Sequence, residues 1–390
     1  MNISILFYLA IMLFGGLLFG RLAKQVKLPN VTGYLIGGLI MGPSLLGLIP
    51  QTIIPQLNIL SDVALGFIAF SIGTEFKASY FKRVGFTPIV IAIFEAMVAV
   101  IFVFGGLLAI GCEMPYALVL GAIAAATAPA ATIMVIKQYK AKGPVTETLL
   151  SVVALDDAVA LVAFGFAVAI AQNMTSATST SLLQSIIAPL TEVVVSLVVG
   201  AIIGAVFAFL LRFTKTSGNR LTMAIAFVFI TISISKMLNA SDLLMCMAMG
   251  GVFVNISKSS TDIMNLVDDI TPPIFMLFFV LSGAELDLAV VPTIGMVGIV
   301  YIVLRVLGKF VGAWFGAVIM KAPENVRKYL GPTLIPQAGV AIGLSLVAES
   351  VIPQHAAVIR AVVLCATLIY EIIGPAIVKI TLKKAGEITQ

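Results

Sequence analysis

The chain has 390 residues, 61% of them hydrophobic and only 11% charged, with a mean hydropathy of +1.15. A soluble domain carries about a quarter charged residues, so this composition excludes a soluble globular protein and points to a multi-pass membrane protein. The net charge of +5 is no nucleic-acid footprint, because Lys and Arg lie in short clusters between apolar runs, and Cys112, Cys246 and Cys365 are too scattered for a disulfide framework or a metal site.

In chain order, the opening run MNISILFYLAIMLFGGLLFGRLAK carries its positive charge after the apolar stretch. A secretory signal carries it before, so this run reads as an uncleaved first helix. Cutting at charge clusters, Pro/Gly pairs and polar runs predicts thirteen spans. They fall at 3–20, 30–49, 57–76, 86–111, 115–138, 145–172, 184–212, 219–237, 242–257, 264–284, 290–319, 327–350 and 356–382. The loops after odd-numbered spans, together with the C-terminal end, hold nineteen of the 23 Lys and Arg, whereas the loops after even-numbered spans hold only Lys236. Basic loops stay in the cytoplasm, so the N-terminus is expected outside and the C-terminus inside. The longest outer loop, QNMTSATSTSLLQS, is a short polar connector, and no loop is long enough for a nucleotide-binding domain.

Three basic residues remain inside spans: Arg305, Lys309 and Arg360. Asp156 and Asp157 lie deep in the sixth span, and Arg305 and Lys309 deep in the eleventh. A charge at mid-bilayer costs about 2.5–3.5 kcal/mol on the insertion scale, so each is a functional candidate. Successive helical residues are turned by about 100°. One aspartate can therefore pair with a neighbouring helix while the other faces a water-filled cavity. Arg305 and Lys309, four apart, share one face and are natural partners for the two acids. Glu95 and Glu371 are mid-helix acids expected to have polar partners and are not assigned to the site. Asp62, Glu192, Glu285, Asp287 and Glu349 fall near span ends, within reach of interfacial water, and His355 reads as a solvated loop residue.

Two spans look broken. AAATAPAAT (124–132) holds Pro129, and LIPQAGVAIG (334–343) holds Pro336, Gln337 and Gly339. Proline frees a carbonyl and glycine permits unusual backbone angles; in lipid such breaks survive only when buried or lining a cavity. A pair of interrupted helices in corresponding places of two halves marks a transporter's midplane site. The fifth and twelfth spans are seven apart and so cross in opposite directions, as an inverted repeat requires.

The segments ATAPAAT (126–132), LLSVVALDDAVALVAFG (149–165), FFVLSGAELDL (278–288), LRVLGKFVGAWFGA (304–317) and IPQAGVAIGLSL (335–346) resemble the bacterial sodium/proton antiporters of the second monovalent cation:proton antiporter family, the NapA type. The resemblance covers nearly the whole chain. It implies an all-α, inverted-repeat antiporter fold of thirteen helices with two crossing broken helices. Residues 1–85 would form dimer-domain helices 1–3. Residues 86–175 would form core helices 4–6, with the broken helix at about 115–138 and the aspartate helix at 145–172. Residues 176–215 would be a linker helix, 216–288 dimer-domain helices 8–10, and 289–390 core helices 11–13. It implies an elevator-like exchange of Na+ or Li+ for H+ in a bacterial inner membrane, by a homodimer, with no cofactor beyond the transported ions and no catalytic residues. By the same resemblance Asp157 carries the cation (Na+) or the proton, Asp156 pairs with a base on the eleventh helix, and Thr127 is a nearby ligand. The family has one prominent base there; the KxxG pattern favours Lys309, with Arg305 the alternative. Competing readings are a potassium/proton antiporter on the same scaffold, an anion or organic-solute symporter of related architecture, and a non-transporting sensor or channel subunit.

Overall fold

The computed structural model describes residues 4–26, 30–74, 76–79, 85–128, 132–133, 135–136, 139–175, 182–286, 288–289, 291–337 and 339–388; side chains are not described at 154, 175, 182–190, 291 and 293. The described residues are helical throughout, in the order α1 (Ile5–Gln25), α2 (Asn30–Met41), α3 (Asn58–Thr74), α4 (Thr87–Ala109), α5 (Met114–Ile123), α6 (Pro144–Thr175), α7 (Leu182–Leu210), α8 (Ser217–Met237), α9 (Asp242–Ile256), α10 (Ser260–Ala284), α11 (Val291–Ile319), α12a (Glu324–Tyr329), α12b (Gly339–Val351) and α13 (Ala356–Lys384). Among them nine are long and apolar enough to cross a membrane; α2, α5, α9 and α12b are shorter apolar helices. Each predicted span overlaps one of these helices, but the fifth, drawn over 115–138, meets a helix that stops at Ile123, and the twelfth, drawn over 327–350, one that begins at Gly339. The second was drawn to residue 49, but α2 stops at Met41 because Gly42 and Pro43 follow, and the residue before a proline is pushed out of the helical region.

Local chemistry sets several starts. Ser4, Thr216 and Ser241 cap α1, α8 and α9 by accepting from the amides of Leu6, Asn219 and Leu244. Pro88 and Pro115 open α4 and α5, where a missing amide hydrogen costs nothing. The start of α6 is capped from far away: Glu387, just beyond α13, accepts from Val145 N (2.7 Å), Thr146 N (2.8 Å) and Thr146 Oγ1 (2.7 Å).

Apolar side chains give no hydrophobic drive between helices in lipid, so close backbone approach does the work. One contact of this kind is made twice. Gly38 of α2 lies against the Val280 carbonyl of α10, and Gly283 of α10 against the Leu35 carbonyl of α2. Likewise Gly250 of α9 lies against the Phe70 carbonyl of α3, and Gly73 of α3 against the Met247 carbonyl of α9. Helices seven places apart thus exchange roles. The fourth and eleventh helices meet through a GxxxGxxxG ridge, with Gly308 on Ala99, Gly312 on Phe94 and Glu95, and Gly316 on Ile91.

The fifth and twelfth helices are interrupted, as the prolines predict. After α5 the chain is non-helical from Ala126 to Ala128; after α12a a 3₁₀ turn (Gly331–Leu334) leads into a non-helical Ile335–Gln337 before α12b. The two breaks touch, with Ala128 N donating to Pro336 O at 2.9 Å. Pro129 lies outside the described residues.

A Cβ on Gly312 would sit 2.6 Å from the Cα of Glu95, whereas one on Gly105 of α4 would meet nothing within 4 Å. Gly312→Ala should therefore lower stability by about 1–3 kcal/mol through overpacking. Gly105→Ala should be neutral or stabilising by up to about 1 kcal/mol. Thermal unfolding of the detergent-solubilised variants checks both.

Candidate functional site

The buried charges converge where the broken helices meet. Lys309 Nζ lies 2.6 Å from Glu95 Oε2 of α4 and 3.1 Å from Asp156 Oδ2 of α6, and it also donates to the Ala125 carbonyl in the first break. All three side chains are fully buried. The ammonium donates to the Ala125 carbonyl and to Asp156, and Glu95 stands beside it as an ion-pair partner, so three segments converge on one charge.

Arg305, one turn away and also fully buried, departs from the sequence expectation that both bases serve the two acids. Among the described residues it has no ion-pair partner. Its Nε donates to Ala124 O (3.1 Å), Nη1 to Ile335 O (2.7 Å) and Nη2 to Ala126 O (2.8 Å), with Pro336 O at 3.5 Å from Nη2. Its Cζ lies 4.6 Å from the centre of the Tyr370 ring. These carbonyls are the ones left without intrahelical partners where the helices break. A planar guanidinium with five donors can serve both breaks at once; an ammonium is a single point. Gln337 adds to the clamp by donating to Ile123 O and to the Tyr301 hydroxyl, both at 3.0 Å.

Asp157 is set apart from this knot. It is 8% exposed, against zero for Asp156, and its Oδ1 is buried without a hydrogen-bond partner. Thr127 Oγ1 and Thr132 Oγ1, in the first break and just after it, are buried in the same condition. Buried polar atoms are nearly always satisfied, and oxygen is the ligand that hard cations take. The second break contributes Pro336 and Gln337 as described; Gly339 begins α12b, packed near Phe279.

Sequence reading left Glu95 outside the site. The signal was there, an acid in the middle of an apolar helix, but only the fold shows that it shares Lys309 with Asp156. Glu371, the other mid-helix acid, lies elsewhere and accepts from the Thr32 hydroxyl of α2 at 3.1 Å. His355 is not freely solvated: its Nε2 is 3.3 Å from Glu113 Oε2, and its ring lies 4.7 Å from that of Tyr116.

A polar cavity of about 660 Å³ opens along α6 from Phe164 to Gln172, and its wall carries Asp62, Glu192, Asp242, Glu285 and Glu349. Glu285 and Glu349, expected at interfacial water, instead share Arg360: Glu285 Oε2 is 3.1 Å from Nη1, and Glu349 contacts Nε. Glu285 lies just past the end of α10. Burial, opposed by Arg360 and reinforced by Glu349, pushes its carboxyl up to about 7 from the ordinary 4.5.

This constellation, with its paired breaks and buried carboxylates, defines a membrane ion exchanger. The chain belongs to the sodium/hydrogen exchanger family (Sodium/hydrogen exchanger, transmembrane), which it matches over residues 9–384. It is 25% identical over 348 residues to the Na(+)/H(+) antiporter NhaS4 of Synechocystis, covering 81% of each chain. To Cation/H(+) antiporter 20 of Arabidopsis thaliana it is 24% identical over 345 residues, covering 80% of this chain and 40% of that one. Its fold is similar to the solved structure of the sodium proton antiporter MjNhaP1 from Methanocaldococcus jannaschii at pH 8, with a TM-score of 0.79 at 18% identity and 99% of each chain covered. An electron-microscopy structure of the same antiporter gives 0.74, covering 98% and 96%.

Two outcomes test this geometry. Arg305→Lys keeps the charge but strands carbonyls at both breaks, and should cost about 1–3 kcal/mol in stability, read as a fall in melting temperature. Glu285 holds its proton more tightly folded than unfolded, so its stabilising contribution is full below the ordinary 4.5 and lost as pH rises through about 7. Glu285→Gln should accordingly flatten the melting temperature against pH across that window.

Proposed function

We propose that this chain exchanges Na+ or Li+ for H+ across a bacterial inner membrane, with cation and proton competing for Asp157. The observation that carries this reading is the division of labour between the adjacent aspartates. Asp156 is held by Lys309, while Asp157 keeps a buried oxygen without a partner. An ionised carboxylate in so dry a place is costly unless a cation pairs with it or a proton discharges it, so either ion relieves the same group but not both together. Thr127, in the first break, offers a further buried oxygen without a partner.

Exchange follows if the site opens to one side at a time. In our reading α4–α6 and α11–α13 form a moving core, α1–α3 and α8–α10 form a dimer-forming scaffold, and α7 links them. The tight α4–α11 ridge, and the doubled glycine contacts of α2 with α10 and α3 with α9, support this division and an inverted repeat. The charge alternation of the loops supports an N-terminus outside. The cavity, whose five acids outnumber the two bases Lys236 and Arg360 in its wall, then lies on the outer side, where its lining favours cations over anions.

Asp157→Asn is isosteric and should insert and fold normally, yet reduce cation-driven proton movement in everted vesicles to the level of vesicles lacking the protein. The assay adds Na+, Li+ and K+ in turn. Near-normal movement in the variant would sink the assignment; a response to K+ alone would move the substrate to potassium on the same scaffold. Absence of flux with every cation in the wild type would favour a symporter or sensor.

A further inference from the structure

We infer that Glu387 is a positioning residue for cation binding: by holding the first turn of α6 to the end of α13, it sets where Asp157 stands relative to the oxygens of the first break. This role rests on the competition at Asp157 described above, whose affinity it tunes without touching an ion. Gly386 brings the residue there. It has a φ of +78°; its amide donates to Lys383 O at 3.1 Å, and that of Glu387 to Leu382 O at 3.0 Å. Such a pair of bonds around a left-handed glycine ends a helix, and here it turns the chain back from α13 onto α6.

Both carboxylate oxygens are used. Oε1 accepts from Val145 N, and Oε2 from Thr146 N and the Thr146 hydroxyl. The Glu387 carbonyl accepts in turn from Lys142 N at 3.1 Å, in the loop between the first break and α6. The residue is buried, and among the described residues it has no ion-pair partner. Three donors and the positive end of α6 stand in for a counter-ion. Gly143 is cut to fit, since a Cβ there would sit 2.5 Å from the Glu387 carboxyl carbon. Ile388 is buried too, in the apolar cluster that includes Val135, Ile136 and Leu149.

The effect reaches the site along a rod. α6 is unbroken from Pro144 to Thr175, so a shift of its first turn along the axis is passed on to Asp157. That residue stands twelve positions beyond Val145, about 18 Å along the helix. α13 is fixed in its turn to the helix of the bases: the Tyr370 hydroxyl donates to Ile302 O of α11 at 2.9 Å, and its ring lies against Arg305. The aspartate helix is therefore tied to α11 twice. One tie is Asp156 on Lys309, at the site itself; the other runs through α13 and Glu387 and uses neither residue. The unpartnered oxygens come from separate segments, Asp157 from α6 and Thr127 and Thr132 from the first break and just after it. How such a set fits a cation depends on their relative heights, and Glu387 is bonded both to α6 and to the loop that joins it to the break.

The test is the half-saturating concentration of Na+, Li+ and K+ for proton movement in everted vesicles, with the maximal rate taken per inserted protein. Glu387→Gln turns one accepting oxygen into an amide nitrogen that meets a donor; Thr146→Val removes the hydroxyl bond with little change of shape. Small misplacements at a distance are costly, so Glu387→Gln should raise the half-saturating concentration at least about threefold, with the maximal rate kept within about twofold. The factor should differ between any two cations that support exchange. Thr146→Val should shift the value less, in the same direction, and the double variant by less than the product of the two factors. An unchanged half-saturating concentration in an inserted Glu387→Gln overturns the inference, as does a loss confined to the maximal rate or to the amount of protein. Should that variant not insert, an unchanged value in Thr146→Val overturns it instead. Failure of the underlying exchange reading looks different: wild-type vesicles then move no protons with any cation, which removes this role together with its premise.

Discussion

Everything in the centre of this protein depends on one ammonium group buried in a hydrocarbon-like interior. An isolated charge there would be prohibitive, so Lys309 obliges three segments to come to it: α4 with Glu95, α6 with Asp156, and the first break with the Ala125 carbonyl. Those obligations set the height of the aspartate helix and the position of the break. They also leave Asp157, one residue on and about 100° round the helix, outside the knot. The free aspartate is a by-product of how completely its neighbour is held.

Arg305 solves a different problem. Two helices broken near their middles leave carbonyls aimed at each other, with the negative ends of helix dipoles close together. A guanidinium between them satisfies and neutralises both. The two bases, four residues apart, thus divide between side-chain acids and backbone carbonyls. Only a delocalised fork suits the second task, which gives a physical reason for the presence of both lysine and arginine on one helix face.

Much of this was readable from the chain. Repeated apolar runs and alternating loop charge located the helices, and Pro336 and Gln337 marked one break where the structure has it. The adjacency of Asp156 and Asp157 announced that they could point to different places. What could not be read was partnership. Periodicity puts Glu95 mid-helix but does not say that α4 lies backbone to backbone with α11, because that closeness is written in glycines whose partners are more than two hundred residues away. The same is true of Arg305: sequence weighs acids as its natural partners, and unsatisfied carbonyls carry no letter of their own. Arg360 likewise appeared as a lone base, while Glu285 and Glu349 appeared as unrelated acids near span ends.

The glycine contacts carry a mechanical consequence. Where α2 meets α10, α3 meets α9 and α4 meets α11, backbone rests on backbone with almost no side chain between. Such a junction has no rotamers to rearrange, and a slip of even half a turn drives a neighbouring Cβ into a carbonyl. It behaves as a weld, intact or broken, and not as a bearing. Any displacement in this protein must therefore be accommodated along seams padded by flexible side chains, such as the one where Leu65 of α3 lies across Gly343 of α12b. Among the described residues, the glycines thus distinguish seams where backbone meets backbone from seams where a flexible side chain lies between.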